Sequence, residues 1–140
     1  MNAHARLAPM RAVPGFVLAL MMLINLGRGC IHTFAPDGGA HSIAGLDLSN
    51  ARQTILSLFA VIGIHQLVAA GFQAYVIAMR RELVLLALVL QTAETFLGVT
   101  NLYFYRTMPV VVPGAAFNAA LLIPLVASIF IAIRRTGQLP

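Results

Sequence analysis

The stretch Leu83 to Asn101, LVLLALVLQTAETFLGVTN, is an apolar run long enough to span a bilayer, interrupted in its middle by Gln91 and Glu94. An unneutralised carboxylate at that depth costs at least about 2.5 kcal/mol, so it requires a partner, a proton or a function. The other segments of the chain matter for what they bring to it.

Composition places the chain in a membrane. Of its 140 residues 60% are hydrophobic and 9% charged, against about 25% charged in a soluble domain, and the mean hydropathy is +0.90. The net charge of +5 rests on nine arginines and no lysine, too few and too scattered to track a nucleic-acid backbone. Membrane lipid is therefore an expected partner and nucleic acid is not. Cys30 is the only cysteine, which excludes an intramolecular disulfide and a thiolate metal cage; it reads as a small buried residue.

Four spans follow from the punctuation. The first covers about 13–32, after Arg6 and Arg11, and is read as a retained helix because three more spans come after it. A connection rich in glycine, 33–50, follows, in which Ile43, Leu46 and Leu48 are apolar enough to lie on the membrane surface or fold over the mouth of a bundle. Asn50 with Gln53 suggests a capped start for a second helix at 51–79. A rod from Ala51 to Asn101 would measure about 75 Å, more than twice a hydrocarbon core, so the chain must reverse at Arg80, Arg81 and Glu82. The third helix is expected at 83–103, running into the interfacial cluster LYFYR, and the fourth at 113–133, opened by Pro113 and kinked at Pro124. The expected fold class is an all-α integral membrane protein, a single four-transmembrane-helix bundle. Arg6, Arg11, Arg80, Arg81, Arg134 and Arg135 on one side, against Arg52 and Arg106 on the other, put both termini in the cytoplasm.

Counted by helical rise from the cytoplasmic ends, Asn25, His65, Glu94 and Asn118 lie at roughly 20, 22, 18 and 24 Å, so each helix brings one polar group to a common layer. Gln91, Glu94, Gly98 and Asn101 share one face of the third helix, Asn25, Arg28 and His32 one face of the first, and Gln66 and Gln73 a face of the second with Gly63 and Ala70. Lipid offers these atoms no partner, so the stripes are expected to face one another around a single polar pocket. Within it Glu94 and His65 are the candidate acid and base. Arg28 is placed to reach the carboxylate or polarise a substrate oxygen. Asn25, His32, Gln66, Gln91, Asn101 and Asn118 are candidate substrate-binding groups. The plainer alternatives are structural pairing for Glu94, packing for His65, a snorkelling side chain for Arg28 and interhelical hydrogen bonding for the amides.

His32, Asp37 and His41 are the ligand types of a zinc or iron site, but they match no single helix face and span a glycine-rich turn, so no metal is expected. No phosphate loop, nucleophile elbow or paired-cysteine motif is present, and no cofactor is expected.

The order of features, a first span ending GRGCIHTFAPDGG, a connection containing AGLDLS, then three spans with a glutamate in the third, resembles the DoxX-like group of small bacterial membrane proteins. That resemblance covers most of the chain and implies a four-helix bundle in the bacterial inner membrane, without assigning a catalytic residue. Three functions are consistent with the sequence. One is a cofactor-independent enzyme acting on a lipophilic small molecule by acid/base proton transfer, such as isomerisation or epoxide or ring chemistry. The others are a proton-coupled exporter of small hydrophobic molecules, and an accessory subunit of a membrane complex. A homodimer and a larger assembly are both open to it.

Overall fold

The structure, a computed structural model, describes residues 3–106 and 112–136, with side chains described from 12 to 106 and from 112 to 134. Among the described residues there are four α-helices: α1 (Ala3–Phe34), α2 (Arg52–Met79), α3 (Val84–Thr100) and α4 (Pro113–Thr136). α1, α2 and α4 each contain a segment long and apolar enough to cross a membrane, and α3 reaches that length with the short turns at its two ends, as Arg81–Tyr105. No strand occurs among the described residues.

The chain reverses between α2 and α3 over a single 3₁₀ turn, Arg81–Leu83, with Arg80 closing α2 by donating its N–H to the Val76 carbonyl. Arg80 also pairs with Glu82 at this corner. α3 loosens at its far end into one π turn, Asn101–Tyr105. Packing is closest within the pairs α1/α2 and α3/α4, while α2 and α3 touch little once they leave their hairpin.

The α1/α2 contact depends on two glycines. A methyl group on Gly29 would come within 2.8 Å of Leu67 Cγ and 3.0 Å of the Gly63 carbonyl oxygen, and one on Gly63 would meet the Thr33 backbone nitrogen at 2.8 Å and the Gly29 carbonyl oxygen at 2.9 Å. The backbones are in direct contact there, which only glycine permits. From this crossing α2 turns Gly63, Gln66, Ala70, Gln73 and Val76 inward at helical spacing. Toward the hairpin the interior fills with Leu18, Met21, Val76, Leu88, Leu121 and Leu125. Large apolar side chains such as Val68, Phe96, Ile123 and Phe130 point outward instead, a surface that suits hydrocarbon and not water.

The connection from α1 to α2 is a compact roof. Both Asp37 carboxylate oxygens accept backbone N–H groups, from Gly39 at 2.9 Å and from Ser42 at 2.7 Å. Gly38 and Gly39 take left-handed conformations at φ 59° and 76°, and a side chain on Gly38 would strike the His32 carbonyl oxygen and Phe59 at 3.3 Å. The Nδ1–H of His32 donates to the Gly38 carbonyl oxygen at 2.6 Å, and its ring meets Phe59 edge-on at 5.2 Å. Ile43 and Leu46 consequently face the bundle mouth.

The start of α2 differs from the capped entrance read from Asn50 and Gln53. Asp47 binds both the N–H and the hydroxyl of Ser49, and the Asn50 amide turns back to the Ser49 hydroxyl at 3.3 Å. The chain enters α2 through Ala51 at φ 56°, with no side-chain cap.

Two outcomes test this packing. Gly63→Ala should lower stability by about 1–3 kcal/mol, since the added methyl meets backbone that cannot swing aside, seen as a reduced thermal midpoint in detergent. Gly71→Ala, where nothing lies within 4 Å, should leave the midpoint unchanged or raise it. For Asp37, its two N–H donors hold the carboxyl at about 2, well below the usual carboxylate range. The roof contribution is therefore full above about pH 4 and lost as pH falls toward 2. Amide protection at Gly39 and Ser42 should follow that course, and Asp37→Asn should flatten it.

Candidate functional site

At mid-height α1, α2 and α3 are joined by side-chain amides. Asn25 Nδ2 donates to Gln73 Oε1 at 3.2 Å and to Gln91 Oε1 at 2.8 Å, and Gln73 Nε2 donates to the same Gln91 oxygen at 2.6 Å. All three residues are buried. With its oxygen taken by two donors, the Gln91 amide has only one orientation, and its Nε2 is turned to Glu94 Oε2 at 3.5 Å and Thr95 Oγ1 at 3.3 Å. The other carboxylate oxygen of Glu94 lies 3.3 Å from His65 Nδ1.

Glu94 and His65 thus meet, but not inside the bundle. Their side chains are 40% and 67% exposed and border a shallow groove of about 240 Å³ between α2 and α3, walled by Val68, Ala69, Phe72, Ala87 and Leu90, with Gln73 and Gln91 at its floor. The groove exists because α2 and α3 diverge from their hairpin without packing together.

Arg28 belongs to a second and larger space. Three residues beyond Asn25, it is turned about 60° around α1 and faces α4, where its Nη1 donates to Asn118 Oδ1 at 2.6 Å. It makes no ion pair with Glu94 among the described residues. This chamber, of about 630 Å³, lies under the roof between α1, α2 and the first turns of α4; Leu58, Phe59, Ile62 and Phe117 form its apolar walls, and Arg28, His32 and Asn118 are its polar groups. The single pocket expected around Glu94, with Arg28 in reach of it, is therefore divided in two. Of the other residues singled out from sequence, Asn25 and Gln91 serve the amide junction, His32 and Asn118 line the chamber, Gln66 is buried with Oε1 lacking a hydrogen-bond partner, and Asn101 is exposed at the π turn. Among the described residues no three His, Cys, Asp or Glu side chains gather as a metal ion would require; the Nδ1 atoms of His32 and His41 are turned to the backbone carbonyls of Gly38 and Leu46.

Sequence reasoning named Ile43 and Leu46 of the roof but passed over the apolar walls that the helices supply to both spaces, which carry no polar signal. The signal was in the spacing. Leu58, Ile62, His65, Ala69 and Phe72 recur along α2 at intervals of four and three residues, a single stripe that lines the chamber in its first part and the groove in its second. Chamber and groove accordingly lie one beneath the other on the same face of α2, with His65 one turn below Ile62.

No protein-family model matches the chain, and neither curated proteins nor solved structures include a match to it.

The amide junction has a direct test. Gln91→Leu removes the shared acceptor of Asn25 and Gln73 and leaves buried donors unpaired, so it should cost about 1–3 kcal/mol in detergent unfolding and release the orientation of Glu94.

Proposed function

We propose that the chain is a small multi-pass membrane protein that takes a lipophilic molecule with an oxygen-bearing head into the chamber under its roof and moves a proton on that molecule through Glu94 and His65. The observation that carries this reading is the chamber itself, about 630 Å³ with apolar walls and one guanidinium, a size and polarity suited to a small lipophilic ligand. Arg28 has five N–H donors, and Asn118 accepts from one nitrogen and so orients the fork. Pro113, Gly114 and Ala115, at the opening turn of α4, line the same space, and a helix start favours negative charge. A carboxylate or carbonyl oxygen fits there; a hydrophobic cation does not, which disfavours export of cationic compounds.

From a head held at Arg28, an apolar tail follows the α2 stripe past Ile62 toward His65 and Glu94. There a carboxylate and an imidazole 3.3 Å apart supply the two halves of proton transfer, one accepting from carbon while the other returns a proton, as double-bond isomerisation requires. Gln91 acts as a positioning residue, donating to the carboxylate oxygen that does not face His65. The reading includes the bacterial inner membrane and cytoplasmic termini, supported by the arginine distribution and by the likeness to DoxX-like proteins.

Whatever molecule the protein retains serves as the probe. Protein in lipid nanodiscs should hold a lipophilic anion or carbonyl compound detectable by native mass spectrometry, and Arg28→Met should reduce its occupancy at least about tenfold, the loss of one charge-assisted hydrogen bond. In deuterium oxide the wild-type protein should exchange carbon-bound hydrogen of the retained molecule, with Glu94→Gln slower by about 10²–10⁴-fold. Equal occupancy in Arg28→Met would remove the chamber from the proposal, and undiminished exchange in Glu94→Gln would remove the acid/base role.

A further inference from the structure

The pair formed by Glu94 and His65 stands at the middle of its spans, His65 midway along Arg52–Met79 and Glu94 midway along Arg81–Tyr105, yet it lies open on the flank of the bundle. The inference rests on the membrane setting proposed above, because only in hydrocarbon is such exposure untenable: no water reaches that depth to solvate the pair. Something must cover it.

We propose that a second copy of this chain covers it, docking groove to groove about a twofold axis that runs parallel to the helices. A membrane protein inserted in one orientation can pair symmetrically only about such an axis, which keeps every residue at its own depth. Rotation about an axis in front of the groove sets α2 of one copy against α3 of the other. His65 then faces the partner copy's carboxylate while Glu94 faces the partner copy's imidazole. The two pairs close into a ring of alternating acid and base, so the surface is self-complementary in charge as an isologous interface must be. Shape agrees with charge. Ala69 keeps one groove wall low and lets a helix approach closely, while Val68, Phe72 and Leu90 supply apolar contacts around the polar centre. The ring shuts the acid/base pair off from lipid, and each copy contributes two of the four groups around it.

Crosslinking in native-like membranes tests the arrangement. In a Cys30→Ser background, chains carrying Val68→Cys and chains carrying Leu90→Cys, expressed together, should form a disulfide between unlike chains on mild oxidation, since α2 faces α3 across the axis. Phe130→Cys, on the outward face of α4, should not crosslink. Joint replacement His65→Leu with Glu94→Leu should shift the protein toward monomer by at least tenfold in protein-to-lipid ratio, because its groove then suits acyl chains. A helical content matching wild type shows that this variant is folded.

A monomer at every protein-to-lipid ratio overturns the proposal. So does crosslinking as strong at Phe130→Cys as in the groove, or a dimer indifferent to the joint replacement. Occupancy of the chamber, read on the same samples, separates the two proposals: a monomer that retains its lipophile defeats only the dimer, and a crosslinked dimer without one defeats only the chamber.

Discussion

The interaction on which the structure depends is the convergence of Asn25 and Gln73 on the Gln91 oxygen. Helices in lipid gain little from burying apolar surface against one another, so contacts with direction decide which faces meet. These hydrogen bonds connect α1, α2 and α3, and they divide the bundle by height. On the hairpin side Leu18, Leu88 and Leu125 close the interior completely. On the roof side the helices no longer fill the space between them, and the chamber opens.

Two further devices keep that open half in shape. Gly29 and Gly63 bring the α1 and α2 backbones together, so the chamber widens toward α4 and not between the first two helices. The roof is held by Asp37 from within and by His32 from below, with Phe59 of α2 against the His32 ring. Its rigidity is thereby tied to the helices it covers, and Ile43 and Leu46 line the space beneath it.

Much of the architecture was legible in the sequence because hydrocarbon punishes exceptions. Four long apolar runs and the reversal required at Arg80 to Glu82 follow from length and solvation. What could not be read was azimuth. The stripe Asn25, Arg28 and His32 covers about 60°, enough to span the difference between facing α3 and facing α4, and one sequence does not say which neighbour lies on either side. Arg28 therefore went to Asn118, and Glu94 met His65 on the flank. The left-handed Ala51 was equally hidden, because alanine has no preference for that conformation. Gly29 offered a better clue: with Gly63 it marks a backbone contact that is only visible once the two helices are known to be neighbours.

The amide junction carries one more implication. Carboxamides do not ionise at physiological pH, and on the hairpin side of them the described interior is hydrocarbon apart from the hydroxyl of Ser128. A hydrogen ion held by Glu94 thus has His65 as its neighbouring carrier and no relay leading deeper. The described interior on the hairpin side therefore offers a proton held at Glu94 no titratable side chain to pass to.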